Sequence, residues 1–434
     1  MKPERLLSLY VHIPFCTAKC RYCDFNSYAG QQSLIPAYTE ALLREAEMWS
    51  AALPPAGGGQ TAARPGGSAS GGGWRAETLF FGGGTPSLMP AAEVERLLGG
   101  LRRHFRLATG AEVTLEANPA TVDGPYLSRL RELGVSRLSL GVQSFRDDEL
   151  AFLERIHSAA EARGAYRAAR SAGFDNVSLA LIFGLPGQTV DRWLESLEEA
   201  MALGPEHLSL YALTVEDGTP LASDIADGRI PAPDPDLQAE LYLRTAERLS
   251  PAGYEQYEIS NWARPGRRCR HNLTYWHNGF WLGLGAGAHS HLPVRPACPA
   301  GRQAGLPSAD ARWVRLANVA APARYIELVD ETWALRRTGA APSIDDMRQV
   351  TSREEAGASL ELSDTLVLGL RLSEGVSLRE LRRRFGRAAL DTHTPAFEEA
   401  ASLGLLEHVD GYLRLTARGR LLANEVFVRL LPAS

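Results

Sequence analysis

The chain has 434 residues, 45% hydrophobic and 22% charged, with a net charge of −5. That length accommodates one large domain and a small one, and the negative balance removes the electrostatic case for nucleic acid as the main partner. Five cysteines are too few and odd in number for a disulfide framework, no apolar run reaches membrane-span length, and no signal-peptide core opens the chain, so a reducing cytoplasm with at most peripheral membrane contact is expected.

The first predicted strand covers residues 9–13 and stops at Pro14. It delivers Cys16, Cys20 and Cys23 into a loop with C-x₃-C-x₂-C spacing. Three soft thiolates can hold three irons of an iron–sulfur cluster and leave a fourth iron open. A structural zinc would instead need a fourth ligand, from His12 or a distant residue. An amphipathic helix is predicted over 36–50, followed by a Gly/Pro/Ala/Ser-rich insertion over 54–73. Strands follow at 78–81, 112–115, 137–140, 177–183 and 207–210, with helical patterns near 91–104, 123–133, 147–172, 189–202 and 236–250. Strict alternation predicts an α/β fold, a partial, open (β/α)₆ barrel.

Each predicted strand ends in glycine or a polar group: Gly82, Gly83, Gly84 and Thr85; Glu116 and Asn118; Gly141 and Gln143; Gly184. In such barrels the carboxyl rim carries the chemistry. Consecutive glycines let backbone N–H groups approach a ligand, or merely make a tight turn. Glu116 and Gln143 could bind a ligand's amino, carboxylate or hydroxyl groups, or serve as caps.

Residues 254–290 are dense in aromatics, glycine and histidine, and a second Pro/Gly-rich insertion spans 293–311. A helix resumes over 325–334. The last unit shows helices near 361–371, 377–384 and 394–403, a hairpin at Asp410-Gly411 and a closing helix over 415–431, a small winged-helix-like α+β domain. Arg382, Arg383 and Arg384 read as a solvated helix face. The units expected are 1–252, 253–343 and 344–434.

Taken together, the cysteine array with an aromatic before its last cysteine, then GGGTPS, LEANP, LGVQSF and GLPGQT, resembles the radical S-adenosylmethionine superfamily. More narrowly it resembles the branch containing oxygen-independent coproporphyrinogen III oxidase and the HemW heme chaperones. The resemblance implies a [4Fe-4S] cluster on Cys16, Cys20 and Cys23, S-adenosylmethionine at the open iron, and its reductive cleavage to a 5′-deoxyadenosyl radical. It carries Tyr10, Gly83, Gly84, Thr85 and Glu116 over as cofactor contacts, and Tyr22, Gln143 and Arg155 as contacts to a second cofactor molecule in the oxidase. One departure is Ala180, where the family usually has an aspartate for ribose hydroxyls.

Where the oxidase carries a fourth cysteine this chain has Phe25, which is similar to the chaperone side. HNLTYW, from His271 to Trp276, is similar to that side's heme-binding signature. His271 offers an imidazole to heme iron, or is a hydrogen-bonded histidine of a barrel-closing loop. His277 and His289 are neighbours that could substitute. Tyr275, Trp276, Phe280 and Trp281 offer flat apolar surface, and Arg264, Arg267, Arg268 and Arg270 offer partners for propionates. Cys269 is a candidate second heme contact; Cys298-Pro299 is similar to short heme-responsive pairs but reads as a spectator in its insertion. The expectation is a heme chaperone that passes heme to acceptor proteins at the membrane surface and draws on a low-potential electron donor. Its alternative is the oxidase, an oxidative decarboxylase of coproporphyrinogen III.

Overall fold

The structure, a computed structural model, describes residues 5–53, 74–293, 313–336 and 343–432. The insertion 54–73, all of 293–311 except Pro293, and Cys298-Pro299 lie outside the described residues. Strand β1 (Arg5–Ile13) buries Leu7, Leu9, Val11 and Ile13 on one face and turns Ser8, Tyr10 and His12 to the other. That two-residue period fixes which side chains meet the helices and which meet the interior of the barrel.

Beside β1 lie β2 (Trp74–Gly83), β3 (Arg106–Ala117), β4 (Arg137–Gln143), β5 (Val177–Phe183) and β6 (His207–Ala212), in that order and all parallel. The helices between them are α1 (Ile35–Ala52), α2 (Ala91–His104), α3 (Gly124–Leu133), α4 (Asp147–Phe152), α5 (Ala159–Ser171), α6 (Val190–Leu203), α7 (Pro220–Ala226) and α8 (Pro235–Leu249). Every predicted strand falls within one of these six. Helix boundaries follow local chemistry: Asp123 accepts from the Tyr126 N–H, Gly134 ends α3 at φ +95°, and Ser158 with Glu161 forms a capping box for α5.

The sheet continues on both sides. After β6 come the antiparallel β8 (Asn261–Ala263) and β7 (Glu255–Glu258). On the other side, β9 (Trp281–Leu284) pairs parallel with β1, and β10 (His289–Pro293), β11 (Trp313–Asn318) and β12 (Val350–Ala356) extend it antiparallel. Twelve strands form this open sheet among the described residues. The sheet thus runs to Ala356, past residue 344.

A second core of Leu362, Leu366, Leu381, Leu406, Leu413 and Val426 belongs to the C-terminal helices and a three-stranded sheet of β13 (Val376–Ser377), β14 (Leu406–Val409) and β15 (Tyr412–Leu415). The predicted closing helix is two pieces, Ala417–Leu421 and Ala423–Leu430. Arg384 is not solvated. It reaches 2.7 Å to the carboxylate of Glu361, which is fully buried and also meets Asn278 and His291.

Candidate functional site

The cysteine loop leaves the rim end of β1 and is pinned on every side. Phe15–Cys16 pairs with Tyr28–Ala29, and the Gln32 amide donates to the Cys16 carbonyl at 2.8 Å. His12 Nε2 donates to the Asn26 carbonyl at 2.8 Å, while the Asn26 amide donates to the carbonyls of Ala286 and Ala320, each at 3.0 Å. Arg21 forms an ion pair with Asp224 and lies over the Phe152 ring. The three thiols stay half-buried and free.

Each of two thiols has a donor. Thr85 Oγ1 stands 3.5 Å from Cys16 Sγ, and Arg155 Nη1 stands 3.3 Å from Cys20 Sγ. Arg155 reaches the loop because the predicted helix 147–172 breaks: Glu154 adopts φ +55° between α4 and α5 and turns Arg155 back onto the Gly141 carbonyl, at 2.8 Å. Burial, the largest influence, works against its charge, but Tyr22 and Cys20 outweigh it and raise its pKa. Its Nε has no partner among the described residues. Burial raises the thiol of Cys23 and the phenol of Tyr22.

The glycine run is sterically required. Gly84 N–H donates to the Ile13 carbonyl and Thr85 N–H to the Phe15 carbonyl, each at 2.8 Å, which presses the loop against the cysteine stem. A Cβ on Gly84 would stand 2.7 Å from the Phe15 carbonyl oxygen and 3.0 Å from Cys16 Sγ. Gly83, at φ +110°, would strike the His12 ring at 2.6 Å. A Cβ on Gly82 would meet Tyr10 at 3.0 Å and Glu116 Oε2 at 3.1 Å. Burial pushes Glu116 up to about 7, against the opposing pull of the Gly83 N–H and of Arg137. Gln143 sits at φ +68°, a conformation an L side chain adopts only when its surroundings impose it. Ala180 turns its methyl group inward between Gly141 and Ser209.

Tyr10, Glu116, Gly83, Gly84, Thr85 and the three cysteines therefore converge at the rim, with Arg155, Tyr22 and Gln143 beside them. His271 does not join them. It is 1% exposed, deeper on the inner face, on the short helix α9 (Arg270–Trp276). A directed chain of hydroxyls engages its Nδ1: Thr78 lies 2.8 Å away and donates onward to Ser8 at 2.7 Å, Ser8 meets Thr274 at 2.8 Å, and Thr274 donates to the Arg270 carbonyl. Since Thr78 donates to Ser8, it accepts from His271 Nδ1–H, and the Tyr275 hydroxyl donates to Nε2 at 2.9 Å. The ring stacks on Phe80 at 5.0 Å, and burial, with Arg137 second, lowers its pKa to about 3. Cys269 is fully buried, with its thiol on Glu112. Arg267 faces Asp175, Arg268 faces Glu255 and Glu374, and Arg270 faces Glu77, so these three are already paired with carboxylates, while Arg264 lies over the Tyr254 ring and donates to the Pro205 carbonyl.

Sequence reasoning missed Arg137, 2% exposed and close to Glu112, Glu116 and His271. It also missed Glu45, which accepts from Tyr325, Asn318 and the Gly285 N–H and so ties α1 to the sheet extension. A signal for the latter exists: Glu45 falls on the buried stripe Ala41, Leu42, Ala46, Trp49 of α1.

The donor set suits a cluster. Among the described residues no three His, Cys, Asp or Glu side chains are close enough to share one ion. Three half-buried thiols, a cation at Cys20 and a cradle that any Cβ would fill match a multi-iron group and a ligand held by backbone. Residues 70–200 match the Radical SAM superfamily, and 361–422 match the HemN C-terminal domain. Over 432 residues the chain is 36% identical to the heme chaperone HemW of Mycobacterium tuberculosis, covering 99% of this chain and 96% of that relative. The chain belongs to the HemW family of radical SAM proteins. The family member of Bacillus subtilis is 34% identical over 421 residues, 97% of this chain and 98% of its own, and that of Escherichia coli is 32% identical over 423 residues, 97% of each. The solved structure of coproporphyrinogen III oxidase (HemN) from Escherichia coli shares the fold at a TM-score of 0.75, covering 98% of this chain and 90% of its own with 22% identity.

Proposed function

We propose that this protein is a heme chaperone that binds heme and transfers it to acceptor proteins, and that it carries a radical SAM-type [4Fe-4S] cluster on Cys16, Cys20 and Cys23. The observation that carries the reading is full-length likeness, at 32–36% identity, to proteins named as heme chaperones. Phe25, in place of the oxidase's fourth cysteine, supports the same side.

When bound, the cluster supplies an iron with an open position for S-adenosylmethionine and an electron of low potential. This chain's own residues then do the holding. Arg155 offsets the negative charge of Cys20, Thr85 donates toward Cys16, and the Gly82–Gly84 backbone admits the cofactor close to the strand end. Glu116, accepting from Gly83, offers a carboxylate to a ligand's ammonium group, and that ammonium would draw it from its protonated to its ionised form. Tyr10 donates to His12 at 3.0 Å and walls this cradle, while Tyr22, Gln143 and Arg155 face the second-molecule position. Ala180 leaves the ribose without a carboxylate there, which lowers cofactor affinity. Among the described residues no helix is long and apolar enough to cross a membrane. We place the protein in the cytoplasm, with its acceptor at the membrane surface and a low-potential protein as electron donor.

Anaerobic reconstitution tests this directly. The wild-type chain should take up iron and sulfide, give a heme Soret band on titration, and leave coproporphyrinogen III unconverted. Replacing any of Cys16, Cys20 or Cys23 by Ala should abolish cluster loading. Turnover of coproporphyrinogen III to protoporphyrinogen IX would transfer the protein to the oxidase class.

A further inference from the structure

Heme iron accepts an imidazole only through a ring nitrogen with an open lone pair and space before it. Five histidines stand on the barrel strands, the sheet extension and α9, and four are closed. His12 is held by Tyr10 and Asn26, His207 by Ser178 and Tyr257, His271 by Thr78 and Tyr275, and His291 by the Gly279 carbonyl and Glu361. None of the four is more than 6% exposed. The fifth, His289, is exposed, and its ring nitrogens meet no hydrogen-bond partner among the described residues.

His289 is also in the right place. It opens β10, where His291 pairs with Trp281 of β9, and Trp281 and Gly283 are level with Ser8 and Tyr10 of β1. His289 therefore shares the inner face with Tyr10 but lies at the rim, near His12, whose pKa is lowered by burial first and by His289 to a lesser degree. Gly283 opposite has no side chain; a Cβ there would stand 2.1 Å from the His289 carbonyl oxygen. The segment leading to it is fixed to the cysteine loop, since Asn26 donates to the Ala286 carbonyl and fills the space a Gly287 Cβ would take. An exposed aromatic ring stands in the cysteine loop: Phe25, 62% exposed. The other exposed histidine of this region, His277, follows α9 and precedes β9, at the opposite end of the parallel strands.

We propose that His289, rather than His271, ligates heme iron, at the rim beside the cysteine loop, and that His271 is a positioning residue that holds Tyr275 against Trp281. The proposal rests on the heme-chaperone reading. Tyr275 and Trp281 meet edge to face at 4.9 Å, so the closed imidazole of His271 orients the aromatic wall below the rim.

The test is hemin titration of the full chain, followed by Soret position and by electron paramagnetic resonance of the ferric iron. His289→Ala should weaken hemin binding at least about tenfold, the equivalent of ~1.4 kcal/mol, and shift the Soret band. His289→Gly with added free imidazole should recover the wild-type spectrum. His271→Gln, chosen because His271→Ala can fail to fold, and His277→Ala should keep the wild-type ligand signature. Unchanged affinity and spectrum in His289→Ala, with both lost in His271→Gln, would overturn the assignment to His289. Failure of the wild-type chain to bind hemin at all would instead overturn the chaperone reading on which it stands.

Discussion

The inner face of the barrel is built in two contrasting ways along the same strands. At the rim, bonding capacity is left open: three free thiols, an Arg155 Nε without a partner among the described residues, a Glu116 carboxyl driven toward its neutral form, and glycines at Gly82, Gly83 and Gly84 where no side chain fits. Deeper, around α9, most of it is spent: His271, Thr78, Ser8, Thr274 and Tyr275 satisfy one another in a directed chain, and the buried Arg137 Nε and Trp276 Nε1 are left without a partner among the described residues. Both levels carry histidines, tyrosines and acids, and both hold recognisable motifs. What separates them is availability, and a ligand-binding site must have some left.

The rim should show the largest effect on cluster loading. Gly84→Ala drives a Cβ into the Phe15 carbonyl and Cys16 Sγ, and the backbone cannot yield because Gly84 N–H is tied to Ile13. Overpacking of this kind costs about 1–3 kcal/mol, so iron and sulfide loading after anaerobic reconstitution should fall to about a tenth of wild type or less. Gly99→Ala on α2, where the nearest atom is the tip of Arg103 at 3.9 Å, should load normally. Normal loading of Gly84→Ala would mean the cradle is not closed and the contrast is false.

How far this contrast is legible in the sequence differs between the two levels. The runs at 9–13, 78–81, 137–140 and 177–183 each fall inside an observed parallel strand, because short stretches rich in buried Leu, Val, Ile and Phe that end in proline, glycine or a polar residue state a core strand directly. Glycines and polar residues at those strand ends then locate the rim. The floor is not legible, since His271 is closed by Thr78, 193 positions away, and no local pattern announces that. The break at Glu154 is hidden for the same reason: its residues favour helix, and only the distant carbonyl of Gly141 and thiol of Cys20 explain the turn of Arg155. Strands β9 to β12 escape notice because glycines and an insertion interrupt their alternation.

The floor should show its character in stability. Removing the His271 imidazole strands the Tyr275 hydroxyl and opens a cavity, so His271→Ala should destabilise the cluster-free protein by about 2–4 kcal/mol at pH 7.5. Burial lowers the His271 pKa from 6.5 to about 3, so its contribution is fully present above pH 6.5 and declines as pH falls toward 3. The difference between wild type and His271→Gln in denaturant melts should accordingly narrow between pH 7.5 and pH 5, by up to ~1.4 kcal/mol per pH unit below 6.5. A difference that stays constant with pH would mean His271 exchanges freely with solvent, and the floor would then be as open as the rim.

The smallest effect expected is of opposite sign, at the rim itself. Burial raises Glu116 from 4.5 to about 7, so the cluster-free protein gains stability from the protonated form below pH 4.5 and loses that gain as pH rises through 7. Glu116→Gln cannot ionise, and relative to wild type it should become more stable by about 1–2 kcal/mol between pH 5 and pH 8, less than the full shift because the carboxyl is only partly buried. The same substitution should weaken S-adenosylmethionine binding to the loaded protein, since an amide no longer pairs with an ammonium group. These two results belong together: a carboxyl that destabilises the empty site yet strengthens the filled one is reserved for a ligand. If thermal melts at pH 5 and pH 8 instead give the same difference between variant and wild type, Glu116 is already satisfied by the protein, and the rim differs from the floor only in its glycines and thiols.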